Sequence, residues 1–346
     1  MKRCVSIWNT VVRAARAIEA VGGSTSITGW LRSLRSVAMR LVRFNRNTEA
    51  PSLARLGVVL ASKVVADLRA GYASFLKLAG DPDAIDIAAV RVPKSIGALL
   101  TAGGFGHPLL GEVVHWLAER AAADIDAQGP HGEALFTPLV DCRLHAPVRL
   151  TNLIVAHDNY RSRGMMPTFT MKPSIAVVGP SRDIRLPKGI DRLRCEAGLA
   201  VVIGSACRDI DESEAAAVIC GYFVMTNVMA SGDACAREAS AFEPGMYESF
   251  APSGPWLTTK DEIADVRSTS VEMRVNGEIR RQFSTASMTW PVERLVAHLS
   301  RISLQPGDVI WTGGVGPGDH EPCVHVADVV ESSVERVGVI RNRVVA

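Results

Sequence analysis

Signatures of several common protein classes are absent from this sequence of 346 residues. No apolar run approaches the ~20 residues that a membrane-spanning helix needs. The seven cysteines are irregularly spaced with no C-x-x-C pair, and an odd count favours reduced thiols over a disulfide framework. The formal net charge is only +2, which gives no global field for nucleic acid or an anionic membrane. These absences predict a cytoplasmic protein with neither nucleic acid nor membrane as a partner.

Cofactor and nucleophile motifs are also missing. The segment G-G-V-G-P-G at 313–318 has neither the Lys-Ser/Thr of a phosphate loop nor the spacing of a dinucleotide loop. No zinc-type Cys/His spacing and no G-x-S-x-G sequence occurs. A tight glycine turn is the favoured interpretation of 313–318, with a substrate-facing anion nest as the alternative.

The first 38 residues form a basic extension with six Lys/Arg and a single acid, Glu19. Two interpretations are open, a targeting peptide or a stretch that is not translated. The second is favoured, because the sequence M-R-L-V-R-F that begins at Met39 is typical of a first strand. Met39 is then the expected first residue.

Length and composition predict two domains. Residues 39–138 are expected to form a small N-terminal α+β domain with its linker, of which the Gly/Pro-rich stretch 127–138 is the best candidate. Residues 139–346 contain many short apolar runs separated by Gly and Pro, which is typical of a strand-rich domain.

Local patterns predict several elements. Alternating apolar runs between Arg55 and Leu68 indicate a strand pair, and Asn276-Gly277 between two such runs is a strong hairpin signal. An acidic first turn predicts a helix over 211–219, and Pro291 predicts the start of a helix over 292–300.

Short segments of the chain also resemble a known family in their order and spacing. They are R-L-H-A-P-V (143–148), K-P-S-I-A-V-V-G-P (172–180), I-R-L-P (184–187), C-E-A-G-L-A-V-V-I-G (195–204), C-G-Y-F-V (220–224), A-P-S-G-P-W (251–256), V-N-G-E (275–278), P-G-D-V-I-W-T-G (306–313) and V-G-V-I-R-N-R-V (337–344). Together they resemble the fumarylacetoacetate hydrolase family over roughly residues 39–346. The resemblance implies a mixed α/β, β-rich fold, a β-roll with flanking helices, usually as a homodimer.

The metal ligands of that family are only partly present here. Its members hold a divalent cation, commonly magnesium, with two glutamates of an E-x-E strand and an aspartate of a later N-D motif. The corresponding positions are Glu196, Gly198 and Asn227, and Asp158 falls where some members have a further aspartate. The resemblance therefore implies a shell of Asp158, Glu196 and Asn227, which is thin for magnesium. We expect no cation or a weakly bound magnesium ion.

The acid–base residues of the family are altered as well. In the register set by Asn159-Tyr160, its histidine and glutamate fall on Arg163 and Met166, and in a second register the histidine falls on Met165. Neither Arg nor Met acts as a general base near neutral pH. Three further family positions differ, an Arg, a Lys and a Thr that are Ser231, Gly245 and Gly314 in this chain.

Four residues remain as catalytic candidates: His157, Asp158, Arg163 and Glu196. His157 is either a relocated base or, as favoured, a structural histidine. Glu196 would be a natural base if half-buried, because burial raises the pKa of a carboxyl group; the alternative is an ion-pair partner of Arg163 or Lys172. Cys195 faces the other way along the strand and is expected to be a small core residue.

Candidate substrate contacts are Tyr160, Arg161, Lys172, Thr312 and Gly313. Arg161 with its neighbour Arg163 can clamp a carboxylate bidentately, or the two can be a solvated loop pair. Tyr160 either donates to an oxyanion or packs as part of the pocket wall. Lys172 matches a family lysine, with a structural ion pair as the favoured alternative.

Three functions remain open. The favoured one is an enzyme for a small oxo-acid, β-diketone or enol that isomerises, decarboxylates, dehydrates or cyclises it without strong metal dependence, because enol chemistry needs mainly charge stabilisation at an oxygen. The alternatives are an inert binding or scaffold subunit, and an ordinary magnesium-dependent C–C hydrolase with substituted ligands, for example Asp233.

Overall fold

The structure is a computed structural model that describes residues 38–61, 63–103, 108–148, 152–160, 166–190, 192–231, 244–263, 265–315 and 323–346. Two compact units are present, residues 44–143 in one, and residues 39–43 with 144–346 in the other. Most of the basic extension lies outside the described residues, as do Arg161, Arg163 and Asp233. The predictions made for those parts of the chain stay predictions.

The first unit combines helices with short strands. Its helices are α1 (Leu68–Leu78), α2 (Ala84–Arg91), α3 (Ile96–Thr101) and α4 (Pro108–Ala123), and its strands are β2 (Arg55–Leu60), β3 (Val64–Asp67) and β4 (Phe136–Pro138). Strands β2 and β3 form the antiparallel pair predicted for 55–68. Strand β4 lies inside the predicted linker and pairs with β3, so residues 136–138 belong to the same sheet as β3 and are not a linker. The polar composition of 127–138 concealed this strand.

The second unit is rich in strands. Its elements are β1 (Arg40–Arg46), which continues into the first unit, β5 (Cys142–His145), β6 (Leu153–His157), β7 (Thr168–Lys172), β8 (Val177–Val178), β9 (Ile184–Arg185), β10 (Arg192–Ile203), α5 (Glu212–Val218), β11 (Ile219–Ser231), β12 (Ala251–Thr259), β13 (Ser270–Val275), β14 (Glu278–Ser284), α6 (Val292–Leu299), β15 (Val309–Trp311), β16 (Val329–Val334) and β17 (Gly338–Val345).

These strands form two sheets. The larger has the order β1-β12-β11-β10-β15-β6-β7, antiparallel except for the parallel pair β15–β6. The smaller has the order β14-β13-β16-β17-β9. The β-rich mixed α/β fold predicted from the sequence is confirmed. Both helices predicted in this unit are present, α5 with Asp211 and Glu214 in a reciprocal capping box, and α6 after Pro291.

The predicted hairpin at Asn276-Gly277 is confirmed. Strands β13 and β14 flank it, and both turn residues have positive φ, 52° and 85°. That backbone is the type I′ geometry that Asn-Gly favours. Among the described residues no helix is long and apolar enough to cross a membrane.

Strand β10 sets the position of the candidate site through its burial pattern. From Ala197 to Ile203 every residue is buried, since both faces of the strand are covered there. From Arg192 to Glu196 burial alternates, with Arg192, Arg194 and Glu196 on the more exposed face. Glu196 therefore lies where the strand leaves the core.

Candidate active site

Strands β10 and β11 place Glu196 directly opposite Asn227. Gly198 shares the face of Glu196, and Cys195 points the other way. Cys195 is 2% exposed, and burial raises the pKa of its thiol to about 12. It is therefore packed in the core as an unreactive thiol and does not supply a nucleophile at neutral pH.

The contact between Glu196 and Asn227 joins a half-buried carboxylate to an amide donor. Asn227 Nδ2 donates to Glu196 Oε2 at 3.4 Å, a long hydrogen bond. The Asn227 side chain is fully buried, and its Oδ1 accepts no hydrogen bond from any residue that the structure describes. The amide thus orients the carboxylate through a donor, whereas a shared cation would be bound through the amide oxygen.

Gly198 has no space for a side chain. A Cβ added there would lie 2.5 Å from the carbonyl oxygen of Gly313, 2.6 Å from Trp311 Nε1 and 2.8 Å from Trp311 Cε2. All three distances are far inside van der Waals contact. Trp311 is fully buried and pairs with Ala200 on β10, so its indole extends diagonally across the same face toward Gly198.

Strand β6 ends at His157, just before the turn that carries several candidates. His157 Nε2 lies 2.7 Å from the hydroxyl oxygen of Thr170 on β7, a hydrogen bond that fixes the half-buried imidazole. Asp158 is exposed and has a positive φ of 60°. Asp158 has therefore left the extended conformation of the strand, so the rule that adjacent strand residues point to opposite faces does not apply to the pair His157 and Asp158. Their catalytic roles stay predictions.

Asn159 is the structural centre of this turn. Its side chain is fully buried and donates to the carbonyl oxygens of Trp290, at 3.0 Å, and Thr312, at 2.9 Å, while its Oδ1 accepts from the Trp290 amide at 2.8 Å. The Thr289 amide also donates to the Asn159 carbonyl at 2.6 Å. Nothing in the sequence pattern indicated this role, because every partner is more than 100 residues away in the chain.

Tyr160 is held at the wall of the site. Its ring packs edge-on against Phe283, with centroids 4.9 Å apart. Its hydroxyl is buried without a hydrogen-bond partner of normal geometry in the described part of the chain. Burial raises the pKa of this phenol well above its usual range, and Thr312 beside it opposes that shift only in part. The phenol is therefore protonated at neutral pH, and both interpretations of Tyr160 stay predictions.

The predicted substrate residues Thr312 and Gly313 form the turn after β15. The amide and hydroxyl of Thr312 both donate to the carbonyl of Leu199, at 3.0 and 3.1 Å, so this hydroxyl is bound to the backbone. Gly313 has φ +100°, and a Cβ there would lie 3.1 Å from Asn159 Cβ. The turn therefore requires glycine at 313 for both reasons.

Lys172 is 6% exposed, and its ammonium donates to the carbonyls of Val228, at 2.7 Å, and Phe250, at 2.8 Å. A Cβ on Gly245 would lie 2.9 Å from Lys172 Cε. The lysine stem thus occupies the space beside the position where the family has its own lysine. These are contacts of a buried cation that joins two segments of the unit, and the substrate contact of Lys172 stays a prediction.

The described residues do not fit the divalent-cation site of the family. Glu196 is the only carboxylate at the paired positions, Gly198 has no space for a second, and Asn227 presents its N–H to Glu196. Across the described ranges no three His, Cys, Asp or Glu side chains come together as a metal site. Magnesium requires near-octahedral oxygen ligands, and this arrangement does not supply them.

A cleft of about 630 Å³ lies between the start of α5 and α6. Arg294, His298 and Arg301 line one side, and Asp209, Asp211 and Glu212 line the other. Arg294 stacks over the Trp290 ring at 4.4 Å. Burial lowers the pKa of His298, and Arg301 and Arg294 add to this. The sequence did not indicate this cleft, because its residues come from separate segments.

Residues 150–345 match the family model described as "Fumarylacetoacetate (FAA) hydrolase C-terminal". The match covers more than half of the chain, so the chain belongs to the fumarylacetoacetate hydrolase family. The family predicted from the short segments is thereby confirmed.

Three comparisons with individual proteins indicate what this chain is similar to. It is 32% identical over 184 residues to 2,4-didehydro-3-deoxy-L-rhamnonate hydrolase of Sphingomonas sp. (strain SKA58), covering 51% of this chain and 65% of that relative. The crystal structure of maleylpyruvate hydrolase from Sphingobium sp. SYK-6 superposes with a TM-score of 0.66 at 25% identity, covering 89% of this chain and 99% of that one. A further structure of that hydrolase contains manganese(II) and pyruvate.

The third is the 5-carboxymethyl-2-hydroxymuconate delta-isomerase from Mycobacterium smegmatis. It superposes with a TM-score of 0.54 at 31% identity, covering 61% of this chain and 84% of that one. Relatives in the family are thus both hydrolases and isomerases.

Proposed function

We propose that this chain is a small-molecule enzyme that moves a proton on a 2-oxo acid or its enol, an isomerase-type reaction, with Glu196 as the base. The observation that carries the proposal is the half-buried Glu196 carboxylate, oriented by the Asn227 amide beside a position closed to a second carboxylate. The names of the relatives support an oxo-acid enzyme, and the isomerase relative supports this type of reaction.

The chemistry needs one group that can carry a proton. Glu196 removes a proton from the carbon next to the carbonyl, which leaves an enolate, and returns the same proton to another carbon of the conjugated system. Atoms balance without water, so the reaction does not depend on the positions where the family has its histidine and glutamate. Of those positions Met166 is described; this residue is 59% exposed, and its thioether cannot carry a proton.

Stabilisation of the enolate oxygen is assigned to donors near the turn after β6. Tyr160 is protonated at neutral pH, and Arg161 and Arg163 follow it directly in the chain. Arginine is suited to a substrate carboxylate because its planar fork makes two parallel hydrogen bonds. The proposal keeps these two residues as substrate ligands, and it includes a cytoplasmic homodimer.

A second candidate, an inert binding subunit, is supported by the closed position at Gly198. Packing of Trp311 against that glycine removes part of the volume that a bound cation and substrate would need. This candidate has no use for an oriented carboxylate, and the half-buried Glu196 therefore favours the enzyme.

The test is proton exchange in heavy water. The full-length protein, treated with EDTA, is incubated with a panel of 2-oxo acids including oxaloacetate, pyruvate and fumarylpyruvate, and loss of the C3 protons is followed by proton NMR. We expect exchange that is insensitive to EDTA and about 100-fold slower in Glu196→Gln. Glu335→Gln is the matched control, since this carboxylate is exposed and far along the chain in the turn after β16.

Two results would contradict the proposal. Exchange that EDTA abolishes and manganese restores would indicate that proton transfer depends on a divalent cation, and cleavage products would then indicate the ordinary metal-dependent hydrolase. Binding of an oxo acid without any exchange would indicate the inert subunit.

A further inference from the structure

The position of the second cation ligand is filled by the side chain of Trp311, together with the carbonyl oxygen of Gly313. The indole contacts two glycines along one edge, with Nε1 and Cε2 at Gly198 and Cζ2 at Gly314. A Cβ on Gly314 would lie 3.2 Å from Trp311 Cζ2 and 2.7 Å from the carbonyl oxygen of Ala197. Neither glycine can be replaced without movement of the indole or the backbone.

Two positions that differ from the family pattern lie against the same side chain. The resemblance places a glutamate where this chain has Gly198, and a threonine where it has Gly314. Both glycines lie beside the indole of Trp311, which is among the largest fully buried side chains of the structure. A side chain at either position would occupy the volume that the indole fills here, which a closely packed interior does not allow.

We infer that Gly198, Trp311 and Gly314 form one packing unit, here named the indole plug, that closes the position of the second cation ligand. Restoring a glutamate at 198 and an aspartate at 227 is then insufficient to regain a divalent-cation site, because the carboxylate has no volume to enter. The inference depends on family membership and packing, and it is independent of the reaction proposed above.

The indole plug is stabilised by the packing of its ring and, within the described residues, not by a hydrogen bond from Trp311 Nε1. Trp311 Nε1 is buried and has no hydrogen-bond partner among the residues that the structure describes. A buried N–H without a partner lowers stability, so the ring is retained for its volume. Phenylalanine at 311 keeps a flat ring without the N–H, and Trp311→Phe should preserve the closure that Trp311→Ala opens.

The first test is a stability cycle. Gly198→Ala is introduced into the wild type and into Trp311→Ala, and urea midpoints are measured. We expect a large loss of the urea midpoint in the wild type. In the Trp311→Ala background we expect less than half of that loss, because the ring is gone and the Gly313 carbonyl can move into the space that it leaves. Equal losses in both backgrounds would overturn the inference.

Gly245→Ala is the matched control for this cycle. Its Cβ would meet Lys172 Cε at 2.9 Å, the flexible end of a side chain outside the plug. The loss of urea midpoint caused by Gly245→Ala should be the same in the wild type and in Trp311→Ala. Should Gly198→Ala fail to fold, recovery of folded protein in Gly198→Ala/Trp311→Ala still supports the plug, and failure of both contradicts it.

The second test measures metal binding directly by titration calorimetry with Mn²⁺, with circular dichroism as the folding control. We expect the variant Gly198→Glu/Asn227→Asp to bind no better than wild type, and the addition of Trp311→Ala to tighten binding at least tenfold. Equal binding with and without Trp311→Ala overturns the inference, as does a folded triple variant that binds no Mn²⁺. If the triple variant does not fold, the stability cycle decides.

Discussion

The candidate site has two ends that differ although they lie two residues apart on one strand. At the retained end, the Glu196 carboxylate is half-buried and hydrogen-bonded to Asn227. At the closed end, Gly198 is buried under the indole of Trp311. The difference follows the burial of β10, which alternates up to Glu196 and is complete beyond it.

This difference indicates at which of the two positions a carboxylate is tolerated when no cation is bound. A carboxylate at the closed end would be charged and fully buried, and without a cation it would lack compensation for its desolvation. A carboxylate at the retained end keeps part of its hydration and accepts a hydrogen bond from the Asn227 amide. Glycine at the deeper position avoids a buried charge, and the ring of Trp311 fills the volume beside it.

The largest expected effect is at the closed end, in Trp311→Ala. Removal of a fully buried ring leaves a cavity, and we expect a loss of about 4 kcal/mol in the free energy of unfolding. Urea denaturation followed by circular dichroism measures it. Trp311→Phe should cost about 1 to 2 kcal/mol, and equal costs for the two variants would contradict closure by ring volume.

Gly198→Ala should be the next largest, with a loss of about 3 kcal/mol from overpacking against a carbonyl oxygen and a rigid ring. Gly245→Ala meets only the end of a lysine and should cost about 1 kcal/mol. Denaturation midpoints of the two variants give the ranking. A larger loss for Gly245→Ala than for Gly198→Ala would mean that the indole and the turn at the closed end move aside more easily than Lys172 does.

Asn159→Ala tests the turn after β6, which is hydrogen-bonded to Thr312 next to the ring at the closed end. The variant removes two donated hydrogen bonds and one accepted bond in a fully buried position, and we expect a loss of about 2 to 3 kcal/mol. Asn159→Asp keeps the acceptor and loses the donors, so it should also be destabilising. A neutral result for either variant, from thermal denaturation, would contradict the assigned role.

Glu196→Gln should separate stability from activity at the retained end. Since the carboxylate is half-buried and the amide is isosteric, we expect a change of about 0.5 kcal/mol or less in the free energy of unfolding. Proton exchange should fall about 100-fold, because the amide cannot carry a proton. A variant that exchanges at the wild-type rate would remove Glu196 from the chemistry.

The smallest effect is expected at His298, in the cleft beside α6. Its pKa is lowered by burial and then by Arg301 and Arg294, so the unfolded chain binds a proton at this residue at higher pH than the folded one. Stability should therefore be greatest and independent of pH above the ordinary histidine value, and should fall as pH drops below it. Thermal denaturation of wild type and His298→Gln between about pH 5 and 8 measures this, and identical slopes would contradict it.

Much of the fold was readable from local patterns. The hairpin at Asn276-Gly277 follows from turn residues that tolerate positive φ, and α5 and α6 follow from an acidic first turn and a proline start. Strand β4 was missed because its pairing partner lies about 70 residues away, and pairing at that range leaves little local signal.

For the site, the sequence by itself determined which family positions had changed, among them Gly198, Asn227, Gly245 and Gly314, because single residues in an ordered motif are visible without coordinates. Only the tertiary structure decided what those changes mean. The indole over Gly198, the lysine stem beside Gly245 and the hydrogen bonds of Asn159 join residues far apart in the chain. Whether a glycine leaves a gap or accommodates a neighbouring side chain depends on packing between strands. The sequence pattern does not encode the distance between residues that are far apart in the chain.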